Sequence, residues 1–150
     1  KSLLQPRMDY DRSYCNYPCV ECTRVCPTGA ILPLKVEEKK TVKIGTAVFV
    51  RENCLVHTHG AHCLVCNEHC PTKACAAVAY RGGLKIPEVI EDTCIGCGAC
   101  EYVCPAEPAK AIYVEGLKKH EKAGPPPKED GNRRGGRGGG RRNRGGEFPF

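Results

Sequence analysis

Thirteen cysteines in 150 residues fall into runs whose spacing leaves little choice of fold. The most regular run is Cys94-x2-Cys97-x2-Cys100-x3-Cys104, closed by Pro105. A second is Cys15-x3-Cys19-x2-Cys22-x3-Cys26, closed by Pro27, and a third is stretched, Cys54-x8-Cys63-x2-Cys66-x3-Cys70, closed by Pro71. Two-residue spacers let a loop wrap a compact object and present thiols to it from successive turns. The longer last spacer carries the fourth cysteine out of that loop, so that it points elsewhere. The proline after it has a fixed φ and no N–H, and turns the chain away.

A [4Fe–4S] cubane needs four thiolates around one core, and Cys-x2-Cys-x2-Cys-x3-Cys-Pro is the bacterial ferredoxin signature. Zinc sites show two Cys-x2-Cys pairs or mixed Cys/His sets instead. A disulfide framework suits small secreted chains, and neither an odd cysteine count nor a repeated motif points to one. Twelve cysteines are therefore the expected ligands of three [4Fe–4S] clusters: Cys15, Cys19, Cys22, Cys26, Cys54, Cys63, Cys66, Cys70, Cys94, Cys97, Cys100 and Cys104.

In a ferredoxin pair the fourth cysteine of one run ligates the other run's cluster. The expected pairing joins the first two runs. Cys15, Cys19 and Cys22 would share a cluster with Cys70, and Cys54, Cys63 and Cys66 one with Cys26. The last run would then hold its own cluster or share one with a further motif. The thirteenth cysteine, Cys75, is expected to be a small buried hydrophobe. His57, His59 and His62 fill the stretched spacer and are expected in a solvent-side loop, because four cysteines already serve that run. Gly96 and Gly98 allow the backbone to approach a cluster and aim N–H groups at its sulfurs.

There is no Trp, only three Phe, and much of the 41% hydrophobic content is cysteine. The aliphatic core is small for this length, and such domains lean on metals or crosslinks. The apo chain is expected to be largely unfolded, because cluster-binding free energy becomes folding free energy. The formal charge of +6 divides into 16 Lys and Arg against 14 Asp and Glu over residues 1–124, and seven against three from Pro125 onward. Twelve thiolates around three doubly charged cores would leave the cluster-bearing part at about −4, which argues against non-specific nucleic-acid binding by it. No run approaches the ~18 apolar residues of a membrane span, and no signal-peptide pattern is visible. The chain opens at Lys1 rather than Met, so a further motif upstream is one expectation and a three-cluster variant another.

The division expected is a cluster-binding domain over residues 1–124 and a Pro/Gly/Arg-rich low-complexity tail over 125–150, too poor in apolar surface to order itself. The fold class expected is α+β: ferredoxin-like cluster-binding units with short antiparallel strand pairs and short helices. Strands are predicted at Ala30–Val36, Thr41–Arg51, Ala76–Tyr80, Leu84–Ile90 and Ala111–Glu115. A hairpin tip is predicted at Glu37–Lys40 and a turn at Arg81-Gly82-Gly83, and Lys118–Lys122 reads as a charged exit. The RGG segments of the tail could bind single-stranded nucleic acid, and Phe148-Pro149-Phe150 could dock on a partner subunit.

Three stretches carry a family resemblance: Cys22-Thr-Arg-Val-Cys26-Pro27-Thr28-Gly29-Ala30, Ile44-Gly45-Thr46-Ala47-Val48, and the stretched run that follows. With the closing Cys94–Pro105 run they resemble the polyferredoxins that serve periplasmic nitrate reductase and methylamine dehydrogenase systems, over roughly residues 14–116. The resemblance implies an electron-transfer subunit of a multi-subunit redox complex. Its partners would be redox proteins, including a quinol-linked membrane subunit and a terminal oxidoreductase. Members of this family usually carry four clusters, where this chain shows three motifs. A periplasmic or membrane-associated setting is implied, and a cytoplasmic one is also compatible with the residues. There is no dinucleotide or P-loop fingerprint, and full cysteine ligation leaves no open metal position, so neither a small-molecule substrate nor catalysis by this chain alone is expected. The alternatives are the C-terminal iron–sulfur domain of a longer membrane-bound redox protein, and an iron–sulfur regulator that binds nucleic acid through its tail.

Overall fold

The computed structural model describes residues 7–125. The RGG segments and Phe148-Pro149-Phe150 lie outside the described residues. The elements in order are helix α1 (Glu21–Val25), helix α2 (Val36–Lys39), strand β1 (Val42–Phe49), helices α3 (Leu55–Thr58) and α4 (Val65–Glu68), strands β2 (Cys75–Ala79) and β3 (Lys85–Val89), helix α5 (Ala99–Tyr102) and strand β4 (Ile112–Lys122). Short helices and two small antiparallel ribbons, β1–β4 and β2–β3, make this an α+β chain.

The two later cysteine runs are built alike. Each follows a strand and one turn of 3-10 helix, Arg51–Asn53 before Cys54 and Glu91–Thr93 before Cys94. The third cysteine of every run rides on a one-turn helix: Cys22 on α1, Cys66 on α4 and Cys100 on α5. The fourth cysteine lies just beyond the helix, where the following proline takes the chain out. In the stretched run the extra spacer is taken up by α3, whose Val56 is fully buried.

β2 and β3 pair from Cys75 opposite Val89 to Ala79 opposite Lys85. Gly82 and Gly83, at φ +65° and +74°, supply the left-handed turn between them. Pro87 sits mid-strand, which a two-stranded ribbon tolerates because each strand has a free edge.

β1 pairs with β4 from Phe49 opposite Ile112 to Gly45 opposite Gly116, then again at Lys43 opposite Glu121 and Val42 opposite Lys122. Between these stretches residues 117–120 stand opposite Ile44, whose freed N–H donates to the Ile95 carbonyl at 3.0 Å. A bulge of this kind bends the strand and releases a ladder group. Here the released group ties β1 to the third cysteine run.

Three expectations fail. Ala30–Val36 is not a strand. Pro33 removes a ladder donor, no neighbouring strand is offered among the described residues, and Val36 already opens α2, where the Glu38 carboxylate accepts the Lys35 N–H at 3.1 Å. With no strand before it, Glu37–Lys40 is not a hairpin tip: Glu37–Lys39 belong to α2 and Lys40 caps its end. Lys118–Lys122 is not an exit but the far end of β4, because a solvent-facing ribbon accommodates charges that a core strand would not.

The core is made largely of cysteines. Cys54, Cys70, Cys75, Cys94, Cys100 and Cys104 are buried together with Val56, Ile86, Ile112 and several alanines.

Candidate iron–sulfur centres

The sequence pairs the first run with the second; the structure pairs the second with the third. Cys54, Cys63 and Cys66 line one apolar cavity, and the fourth thiol on its wall is Cys104 of the last run. Cys70 lies instead among Cys94, Cys97 and Cys100, close enough for its charge to act on each of them. The fourth cysteines have crossed over, as in a two-cluster ferredoxin. The reason is packing: α4 and α5, which carry Cys66 and Cys100, lie against each other, and α4 also packs on β2. The first run contributes no thiol to this core cluster, and its half-buried Cys15 packs against a second one of Ile95, Cys97 and Ala99. Cys22 is exposed, and Cys15, Cys19 and Cys26 are half-buried.

The third run is the most enclosed, with residues 93–100 all buried. β1 meets it with its small-residue face, Gly45 and Ala47, while Ile44 and Val48 on the opposite face are only half-buried. The Ala47 N–H donates to Cys94 Sγ at 3.4 Å. Gly96 and Gly98 have φ of +71° and +79°. A Cβ on Gly96 would overlap the Gly45 backbone, and one on Gly98 would overlap the Tyr10 ring. The Tyr10 hydroxyl donates to the Gly96 carbonyl at 2.9 Å. Close approach by neighbours thus demands these glycines, and the Gly96 N–H is also turned toward Cys94.

One turn is built twice. After Cys26 come Pro27-Thr28-Gly29-Ala30-Ile31, and after Cys70 come Pro71-Thr72-Lys73-Ala74-Cys75. Gly29 and Lys73 both have positive φ, +66° and +57°. The Thr28 and Thr72 hydroxyls lie 3.6 and 3.7 Å from the sulfur of the preceding cysteine. The last N–H of each turn, of Ile31 or of Cys75, also reaches that sulfur. After Cys104 the corresponding donor is Ala111, whose N–H lies 3.4 Å from Cys104 Sγ.

These surroundings separate the thiols. Burial pushes Cys66 up to about 12 and Cys97 up to about 11, and raises Cys94. Cys70 is held down at about 5, first by its hydrogen bond with the Cys75 thiol, and further by the Cys75 N–H and the Thr72 hydroxyl. Cys26 is lowered to about 7, chiefly by the Ile31 N–H and then the Thr28 hydroxyl. Hydrogen bonds to the anion favour it, and an apolar site disfavours it unless positive charge is placed there. Two sets of four thiols, with N–H groups turned onto their sulfurs, are the donor chemistry of a [4Fe–4S] cubane, and the residues present fit that group.

Cys75 is 1% exposed, as expected of a small buried side chain, and it shares a buried cluster with Cys70 and Cys100, which spacing alone does not reveal. His59 and His62 are exposed and His57 is half-buried, its Nδ1 2.7 Å from the Tyr80 hydroxyl. Among the described residues no helix is long and apolar enough to cross a membrane.

A family profile for the 4Fe–4S binding domain matches residues 85–106, which span the third run. The ferredoxin-type protein NapG of Escherichia coli is 38% identical over 122 residues, covering 71% of this chain and 52% of the relative. The methylamine utilization ferredoxin-type protein MauM of Methylophilus methylotrophus is 38% identical over 92 residues, covering 58% and 40% respectively. The ferredoxin-type protein NapF of Haemophilus influenzae is 38% identical over 69 residues, covering 46% and 37%. The chain thus spans about half, or less, of the length of each of these relatives. No solved structure matches it significantly. The resemblance carried by the cysteine runs holds: the chain is similar to the ferredoxin-type proteins of the Nap and Mau kind, and its third run matches a 4Fe–4S binding domain.

Proposed function

We propose that the chain is an electron-transfer protein or subunit carrying three [4Fe–4S] clusters, with no catalysis of its own. One cluster would be held by Cys54, Cys63, Cys66 and Cys104, a second by Cys94, Cys97, Cys100 and Cys70, and a third by the surface run of Cys15, Cys19, Cys22 and Cys26. Residues 1–124 would form the cluster-bearing domain, with 125–150 as a separate low-complexity segment.

A cubane, when bound, stores and releases one electron. The chain's own residues would hold it, exclude water and bias its potential. Burial of residues 93–100 keeps solvent from the second cluster, whereas the exposed first run would be the point of contact with a redox partner. Backbone N–H groups of Ala47 and Ala111 favour the charged form of the ligating sulfurs. Two adjacent centres in the core and a third tied to them through the Cys15 N–H on the Cys97 carbonyl, at 2.8 Å, support a relay from surface to interior. The partners proposed are redox proteins of a multi-subunit system, among them a quinol-linked membrane donor and a terminal oxidoreductase, by analogy with the ferredoxin-type relatives.

The observation that carries this reading is the exchange of fourth cysteines, Cys104 to the second run and Cys70 to the third. A mononuclear metal would not require that exchange, and a pair of cubanes in the ferredoxin arrangement does. The test is iron and acid-labile sulfide per chain after anaerobic reconstitution. About twelve of each are expected; zinc in place of iron, or iron without sulfide, would overturn the reading.

A further inference from the structure

The fourth cysteines of the three runs differ in what their carbonyls accept. In the first two runs the donor is a backbone N–H three residues on, from Gly29 to Cys26 at 3.4 Å and from Lys73 to Cys70 at 3.3 Å. After Cys104 the chain runs Pro105-Ala106-Glu107-Pro108-Ala109-Lys110, and the Cys104 carbonyl accepts instead from Lys110 Nζ at 2.7 Å. The Lys110 carbonyl in turn accepts the Asn53 side-chain N–H at 3.3 Å, and Asn53 precedes Cys54. The next residue, Ala111, donates its N–H to Cys104 Sγ at 3.4 Å, and its carbonyl accepts the Val50 N–H at 2.8 Å. Lys110 thus joins both runs assigned above to one cluster, and brings an ammonium up to the cysteine that crosses between them. It is half-buried and lines an open cleft with Asp11, Glu101 and Glu107, none of which forms an ion pair with it.

We propose that Lys110 is a positioning residue for the cluster of Cys54, Cys63, Cys66 and Cys104, and that its positive charge, held on the Cys104 carbonyl, raises that cluster's reduction potential. Reduction adds negative charge, and a fixed cation beside the ligands stabilises the reduced state more than the oxidised one. Net charge is among the determinants of these potentials, and groups around the ligands tune a centre without binding it. Cys104 is buried, and a charge held at a partly buried site is screened less than one in open solvent. The carbonyls of Cys26 and Cys70 receive an uncharged peptide N–H in its place, so the effect belongs to one cluster. The inference rests on the cluster assignment proposed above.

The experiment compares the full chain with its Lys110→Met, Lys110→Gln and Lys110→Arg variants, by iron content, by EPR of the reduced form and by potentiometric titration. Lys110→Met, which keeps the stem and loses the charge, is expected to move one cluster's wave to lower potential and to leave the others in place. Lys110→Gln, which keeps an N–H donor without the charge, is expected to move the same wave in the same direction. Lys110→Arg, which keeps the charge, is expected to restore most of that shift. Titrations of Lys110→Met and Lys110→Gln that overlay the wild type overturn the proposal. So does a Lys110→Arg wave displaced as far as that of Lys110→Met, which would mark a packing effect. A shift in Lys110→Met that Lys110→Gln does not share would assign the effect to the hydrogen bond and overturn the role of the charge. If Lys110→Met loses iron, Lys110→Gln carries the test, and iron loss in both would make the residue purely structural and overturn the proposal. Wild-type protein without a cubane signal would instead remove the cluster assignment itself, so the two failures are told apart.

Discussion

The first and third cysteine runs have nearly the same spacing and opposite surroundings. Every residue from 93 to 100 is buried, whereas within α1 of the first run only Thr23 is, and Cys22 faces solvent. The third run is enclosed because β1 offers it small residues, Tyr10 closes over Gly98, and α5 packs on both α4 and β4. The first run is fastened by the Cys15 N–H on the Cys97 carbonyl, and by Lys39, whose Nζ donates to the Asn16 and Tyr17 carbonyls at 2.8 and 3.0 Å. Spacing therefore fixes the capacity to hold a cluster, while neighbours decide its exposure. Exposure and hydrogen bonds to sulfur then help set the potential. One kind of motif can serve as a surface contact in one place and as a buried centre in another.

Removing the iron should break the two regions apart most visibly. Under a strong chelator, about four of about twelve irons are expected to leave first with little change in far-UV circular dichroism. The remaining eight or so should leave together with a loss of structure, because their ligands are the core. A chain that stays cooperatively folded without iron would contradict this. Glycine substitutions should sharpen the same contrast. Gly96→Ala places a Cβ against the Gly45 backbone and should cost about 3 kcal/mol or more in denaturant unfolding. Gly29→Ala, with the same sign of φ but open space around it, should cost only about 1 kcal/mol. Smallest is Lys73→Gly, which gives the second turn the residue its counterpart already has. Relief of the left-handed backbone at Lys73 should raise the thermal midpoint, by up to about 1 kcal/mol in stability.

Much of this was legible in the residues. β1, β2 and β3 lie within one or two residues of their predicted spans, because β-branched alternation and the Arg81-Gly82-Gly83 turn are local signals. The segment after Ala30 misled because it repeats the turn that leads into β2 but has no strand to pair with. The rule that fourth cysteines cross over could also be read. Which runs exchange them could not, because it depends on contacts between α4 and α5 and on the bulge at Ile44, both products of distant pairing. That Cys75 shares a buried cluster with Cys70 and Cys100 is hidden for the same reason.

The division between a coupled core pair and a separate surface centre is tested most directly by the full chain carrying Cys26→Ala. Its iron content and the EPR spectrum of its reduced form are the measurement. The expected result is retention of about eight irons, with the broadened spectrum of two interacting clusters unchanged from the wild type. About eight irons remaining with the interaction lost would place Cys26 among the ligands of the second run and contradict the exchange between Cys70 and Cys104.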